Sequence, residues 1–242
     1  METIRRLAAN QRDRFAEIVF PRRAPPVLRC PSSHRQHIRR IRQRSGQPRS
    51  LSPATDPADV SGTGLAVWLV QDQRFVDRRP DVLSWQTDPL TDAVHIAGDI
   101  VTELYASTTG TDSDWAVKLI DVYPEDAKDD EATHTRMGGF ELIIADEIVR
   151  ARFRNGFDRA EAVPANKVLK YSIDLHTNAH AFLKGHRIMV QVQSTWFPVY
   201  DRNPQKYLPN IFEAHAADYV KATQRIYRGP GASSAVVLPV VK

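Results

Sequence analysis

Ser194 stands in a chain that carries eight His and 29 acidic side chains, so a serine–histidine–aspartate set can be assembled on paper. A nucleophilic serine also needs a base within hydrogen-bond reach and a third group that orients the base. The G-x-S-x-G elbow that holds such a serine in a strained, exposed corner occurs nowhere in the sequence. Surface and turn roles are therefore expected for Ser194, and no residue is assigned as catalytic. Asp112, Asp114 and Asp121 invite a calcium reading, because hard cations take several carboxylate oxygens. The spacing lacks the D-x-[DN]-x-[DN]-G loop, and Asp in a TGTDSD segment is expected to cap backbone N–H groups instead. No metal or cofactor is assigned. His180 and His186 flank the turn in NAHAFLKGHRI and are expected to be structural. The single cysteine, Cys30, excludes an internal disulfide framework and a multi-cysteine zinc site.

The stretch 193–205, QSTWFPVYDRNPQ, concentrates Trp196, Phe197, Tyr200, Asp201, Arg202 and Asn203, with Pro198 and Pro204 as stiffeners. Its first residues end a strand, Pro198 leaves the sheet because it has no N–H for the ladder, and the Asn203-Pro204 step favours a turn. An Asp201 carboxylate on loop N–H groups and an Arg202 guanidinium forking to carbonyls or carboxylates would hold such a corner in a fixed shape. Trp85, Trp115 and Trp196 raise a different class, a free-standing carbohydrate- or ligand-binding module whose aromatic rings stack on sugar faces. Burial is the commoner fate of tryptophan. Arg35, Arg39, Arg40, Arg42, Arg44 and Arg49 could hold a polyanion, but without aromatic platforms that binding would be non-specific and salt-dependent. No specific nucleic-acid partner is expected.

The elements that must position these residues are strands. Runs near 82–87, 94–107, 115–123, 140–153, 168–175, 186–197, 223–227 and 235–241 are rich in β-branched and aromatic residues. Ile188, Val190 and Val192 alternate with Arg187, Met189, Gln191 and Gln193, the period of a strand with one face on a core. Thr109-Gly110-Thr111-Asp112, Met137-Gly138-Gly139, Arg154-Asn155-Gly156 and Lys184-Gly185 supply turns that tolerate left-handed backbone. One helical turn is expected near 218–221, and the acidic loop 125–131 reads as a solvated hairpin connection. About eight strands without long helices between them predict an all-β fold, a jelly-roll β-sandwich of galactose-binding-like type.

The first 50 residues hold 13 Arg, no Lys and three acids, a net +10, whereas the remainder carries −6, which together give the chain's +4. Seven of the 16 Pro fall between residues 21 and 64. Spacing of Ile4, Leu7, Phe15 and Ile18 suggests a short helix over 2–20. Residues 21–64 have too little apolar periodicity to offset chain entropy and are expected to be disordered. The organisation is thus a basic, mostly disordered leader over 1–65 and a folded domain over 66–242. No apolar run reaches the ~18 residues of a membrane span, and Arg5 and Arg6 precede no apolar signal segment, so the default compartment is the cytoplasm.

The segments WLVQDQRFVDRRPDVLSWQTDPL, STTGTDSDWAVKLIDVYP, IVRARFRNGF, LKGHRIMVQVQSTWFPVYDRNP and KATQRIYRG resemble the C-terminal domain of the cocaine esterase and X-Pro dipeptidyl-peptidase family of serine hydrolases. TGTDSDWAVKLIDVYP and GHRIMVQVQSTWFPVYDRNPQ bring the likeness nearest to the α-amino-acid ester hydrolases and glutaryl-cephalosporanate acylases. The resemblance runs from residue 68 to 242. It implies a C-terminal jelly roll whose chemistry belongs to a preceding α/β-hydrolase domain, and residues 1–65 do not resemble that domain. Such a leader is what a truncated or frameshifted gene would give. The expectation is an accessory domain inactive alone, partnered by a hydrolase domain in trans or by a second copy. The corner Trp196, Phe197, Tyr200, Asp201, Arg202 and Asn203 would then be its docking edge.

Overall fold

A computed structural model describes residues 71–241 except 78, 80, 133 and 198, together with three strands nearer the N-terminus. Those three are β1 (Ile4–Arg6), β2 (Phe15–Val19) and β3 (Ile38–Gln43). Then follow β4 (Val82–Gln86), β5 (Val94–Thr108), β6 (Asp114–Val122), β7 (Glu141–Arg150), β8 (Leu169–Phe182), β9 (Arg187–Gln193), β10 (Ala222–Gly229), β11 (Ala232–Ser233) and β12 (Ala235–Val241). The only helical pieces among the described residues are four 3₁₀ turns of three residues each.

The strands form two antiparallel sheets. One has the order β4-β9-β6-β7; the other runs β1-β2-β12-β5-β10-β11, with β8 on the free side of β5 and β3 beside β10. Their facing sides make one core. Leu83, Trp85, Trp115, Val117, Leu119, Ile188, Val190 and Val192 come from the first sheet; Ile96, Leu104, Tyr171, Ile173, Ile226 and Val236 come from the second. Period-2 alternation sends these residues inward and leaves Lys170, Ser172 and Asp174 of β8 outside. The architecture is the expected all-β sandwich.

Four local expectations are corrected. The region 2–20 is not a helix where it is described: Ile4 falls in β1, Phe15 and Ile18 fall in β2, and Leu7 lies outside the described residues; β2 pairs with β12, so sheet-edge backbone groups supply the hydrogen bonds a helix would have made internally. The leader's 38–43 segment likewise lies on β10 as β3; the rest of the stretch expected to be disordered lies outside the described residues. Strand β8 runs on to Phe182, well past the expected end at Leu175. The polar HTNAH segment stays paired because a bulge opposite Asp99–Val101 absorbs one residue, with His176 at φ 66° and Gly98 at φ 135°. The helical turn expected at 218–221 lies a little earlier, at Ala216–Asp218.

The outer face of the four-stranded sheet is also covered. Residues 71–77 run across it as a strap, where Val76 packs with Val82, Ala116 and Trp196. Asp72 Oδ1 accepts from Glu141 N at 3.2 Å and Arg74 Nη1 donates to Gly138 O at 2.6 Å. Every residue of β6 is buried, those on its inner face by the other sheet and those on its outer face by the strap, Trp196 and neighbouring side chains such as Ile143 and Met189.

Candidate functional site

Two long connections, 151–168 and 194–221, meet at the end of the sandwich where β6 begins. The turn 109–113 ties them together. Thr111 N donates to Gln205 O at 3.0 Å, Val163 N to Thr111 O at 2.8 Å and Ala151 N to Ser113 O at 2.8 Å. Tyr207 N donates to Thr111 Oγ1 at 2.8 Å. Gly110 is required by proximity, since a Cβ there would sit 2.2 Å from Gln205 O. Of the four turns expected to hold left-handed backbone, three do, at Gly139, Gly156 and Gly185, and the 109–112 turn does not.

Buried charge locks this joint. Asp112, fully buried, accepts from Ser113 N at 2.9 Å and from Arg152 Nε at 2.8 Å. Arg152 Nη1 reaches Leu208 O at 2.8 Å, and its guanidinium lies 4.8 Å from the centre of the Tyr207 ring. Asp114 takes a two-pronged contact from Arg150, at 3.0 and 3.1 Å, and the Asn203 amide at 2.8 Å. Burial pushes the Asp114 carboxyl up to about 6, while Arg150 and Asn203 hold it down against that rise. Asp112 caps a turn N–H as expected, and both aspartates face arginines. Asp121 lies at the far end of β6, between His180 Nε2 and His186 Nδ1, each at 2.9 Å. Among the described residues no group of three or more His, Cys, Asp or Glu side chains is arranged to hold a metal.

Ser194 is buried with its hydroxyl 3.1 Å from Ser113 Oγ. Trp85, Trp115 and Trp196 are all buried, which leaves none of them a face for a sugar ring. The corner after β9 divides. Trp196 turns inward on the outer sheet face, and Asn203 is held by Asp114. Phe197 is half-buried, with the Arg202 guanidinium 5.5 Å from its ring and 5.2 Å from Tyr219. Tyr200 and Asp201 face outward.

Sequence reasoning passed over two features. Lys118, in the apolar run WAVKLIDV, is fully buried on the outer face of β6. Its Nζ donates to Gln73 Oε1 of the strap at 2.8 Å and sits 4.3 Å from the centre of the Trp196 ring. Burial lowers its ammonium to about 7, against the pull of Asp146 and Glu141. A lone lysine with three apolar residues before it and two after it, WAVKLI, was the available signal. The second feature is Phe157 and Phe212, 88% and 78% exposed, on the two connections the turn ties together. Isolated aromatics in polar loops leave no periodic trace.

A two-sheet antiparallel sandwich whose buried ionic groups join its loops defines a β-sandwich domain of architectural type. The chain belongs to the X-Pro dipeptidyl-peptidase C-terminal non-catalytic domain family, whose pattern matches residues 41–237. That match begins inside β3, upstream of the boundary expected at 66. The chain is 36% identical over 171 residues to the cocaine esterase of Rhodococcus sp. (strain MB1 Bresler), covering 71% of this chain and 27% of the esterase. It superposes on a selenomethionine-labelled α-amino acid ester hydrolase with a TM-score of 0.78 at 47% identity, over 84% of this chain and 32% of that one. An aminopeptidase from a marine sediment Thaumarchaeota archaeon gives a TM-score of 0.84 at 37% identity, over 94% of this chain and 37% of the aminopeptidase. The chain thus spans about a third of these relatives. No described helix is long and apolar enough to cross a membrane.

The joint and the strap each yield a test. Asp112→Ala strands the buried Arg152 charge and is expected to cost about 3–5 kcal/mol in urea unfolding, whereas Asp201→Ala on the exposed corner leaves the midpoint unchanged. An equal response would remove Asp112 from the centre of the joint. For Lys118, the folded value of about 7 lies below the ordinary 10.5. Between those values the unfolded chain holds a proton that the folded chain has released, so stability rises with pH across that window. Urea midpoints at pH 7 and 9 should show the rise in the parent and lose it in Lys118→Met; a rise that persists in the variant belongs to another group.

Proposed function

We propose that this chain serves as the non-catalytic β-sandwich of a serine hydrolase that cleaves ester or amide bonds, docked against an α/β-hydrolase catalytic domain in the cytoplasm. Family membership over 41–237, combined with a span of about a third of the relatives, carries this reading. The names of those relatives, an esterase, an ester hydrolase and an aminopeptidase, give the bond classes. The sandwich is read as a jelly roll of galactose-binding type, and it brings no catalytic group of its own. Its part is to close one side of the hydrolase and to hold loops in place there. Tyr200 and Asp201 are the outward members of the 196–203 corner and stand as its contribution to the interface; Trp196 and Asn203 fix the corner from behind.

Interdomain contact makes neighbouring domains unfold together, whereas domains without a shared surface melt apart. The complete 242-residue chain is to be fused to the α-amino acid ester hydrolase in place of that enzyme's own C-terminal domain. A single calorimetric transition with ester hydrolysis retained is expected; two independent transitions would sink the proposal. The unfused chain is expected to leave a fluorophosphonate probe unreacted, and a labelled serine would show that it carries its own nucleophile.

A further inference from the structure

Two large apolar side chains are held far into solvent by braced loops at one end of this sandwich. Phe157 is 88% exposed, and the loop that carries it is stiff. Arg154 Nη1 donates to Ala151 O at 3.2 Å and to Glu161 O at 2.9 Å, and Nη2 donates to Ala162 O at 3.2 Å. Asn155 Nδ2 adds a bond to Glu161 Oε2 at 2.9 Å. Phe212, 78% exposed, lies in the 3₁₀ turn Ile211–Glu213, which is anchored by the buried Ile211. Asn210 caps that turn from both sides, its Oδ1 accepting from Phe212 N at 3.0 Å and its Nδ2 donating to Glu213 Oε1 at 3.0 Å.

The two loops also hold each other. Tyr207 Oη donates to Ala160 O at 3.2 Å, and Arg152, fixed by the buried Asp112, reaches across to Leu208 O. Neither ring is therefore at the tip of a floppy segment that could fold it away. Aromatic side chains presented by pre-ordered loops lose little conformational freedom on contact, which is the condition for an interface anchor.

We infer that the end of the sandwich built by loops 151–163 and 203–213 is an interdomain seat, with Phe157 and Phe212 as its anchors, and that its occupant is the α/β-hydrolase catalytic domain. The inference rests on the function proposed above. The occupant is chosen because the relatives carry about two-thirds of their length outside the part this chain matches. A chain of that size needs a seat on the sandwich; the inner sheet faces and the strap-covered outer face are already closed, and the outer face of β8 presents the polar Lys170, Ser172 and Asp174. The catalytic domain would offer this seat apolar pockets that take the two rings.

The same fusion protein separates the inference from the reading beneath it. Phe157→Ser with Phe212→Ser is expected to split the single transition of the parent fusion into two. Both rings face solvent in the isolated chain, so the unfused double variant should melt at the parent's temperature. Phe157→Leu with Phe212→Leu, which keeps the apolar surface, should retain the single transition. Leu183→Ser, at the opposite end of the sandwich, should retain it too. If the serine pair leaves one transition, or if Leu183→Ser is the change that splits it, this seat is overturned while the docking function stands. If the parent fusion already shows two transitions, the docking function itself fails. If the unfused chain self-associates through the two rings and the serine pair has no effect in the fusion, the occupant is a second copy and the assignment to the hydrolase is overturned.

Discussion

The ion pair between Asp112 and Arg152 is the contact on which the loop end of this molecule depends. A sheet satisfies its own backbone groups, but a long connection does not, and every buried N–H or C=O in it must find a partner elsewhere. Connections 151–168 and 194–221 solve this with a few buried ionic side chains. Asp112 accepts from its own turn and from Arg152; Arg152 then donates to a carbonyl of the other connection. Asp114 repeats the device with Arg150 and Asn203. A buried pair of this kind adds little net stability compared with apolar residues of equal volume, yet removal of one partner is costly because the other charge remains in the interior. Its effect is therefore to fix geometry, and the geometry fixed is that of two loops.

Strand β6 distributes such groups along its length. Its odd positions Trp115, Val117 and Leu119 fill the sandwich core, and the next inward position, Asp121, closes the far end by taking both His180 and His186. Its even positions lie on the outer face, with Lys118 at their centre beneath the strap. In register across the four-stranded sheet, Ser84, Gln191, Lys118 and Asp146 form a polar row on that outer face. Gln73 and Trp196 cover the row, so the strap is specified by a hydrogen bond and a cation–aromatic contact as well as by the apolar packing of Val76. One nine-residue strand thus sets the core and the outer covering, and its two terminal carboxylates anchor the loop joint and the histidine pair.

Legibility in the sequence followed the physics of each feature. Strands with one core face announce themselves by period 2, and β4 to β7, β9, β10 and β12 lie close to where alternation and turn residues place them. In β8 the alternation ends at Leu175, because a bulge breaks it without breaking the pairing. In the leader, the spacing of Ile4, Leu7, Phe15 and Ile18 suits a helix as well as a strand; only the open edge of β12, a tertiary fact, decides for β2. The corner 196–203 drew notice through its concentration of aromatics and charges. That signal does not tell inward from outward side chains, and Trp196 and Asn203 prove to be its interior fastening. Phe157 and Phe212 left no trace because exposure is a property of the folded surface.

The two faces of the first sheet show why the loop end differs from the rest. Its inner face is covered by the second sheet, and its outer face by the chain's own strap. An apolar surface left open at either place would have lost on the order of 25 cal/mol for each Å² exposed, and the sequence supplies a cover for both. At the loop end the opposite arrangement holds: bonds that could have folded Phe157 and Phe212 inward instead brace the loops that carry them outward. Hydrogen bonds from Arg154 and Asn210 are local and satisfied without either ring. Braced, exposed aromatic rings at one end, against covered faces on the first sheet, give the sandwich a direction, and that direction follows from where the buried Arg152 ties the two loops.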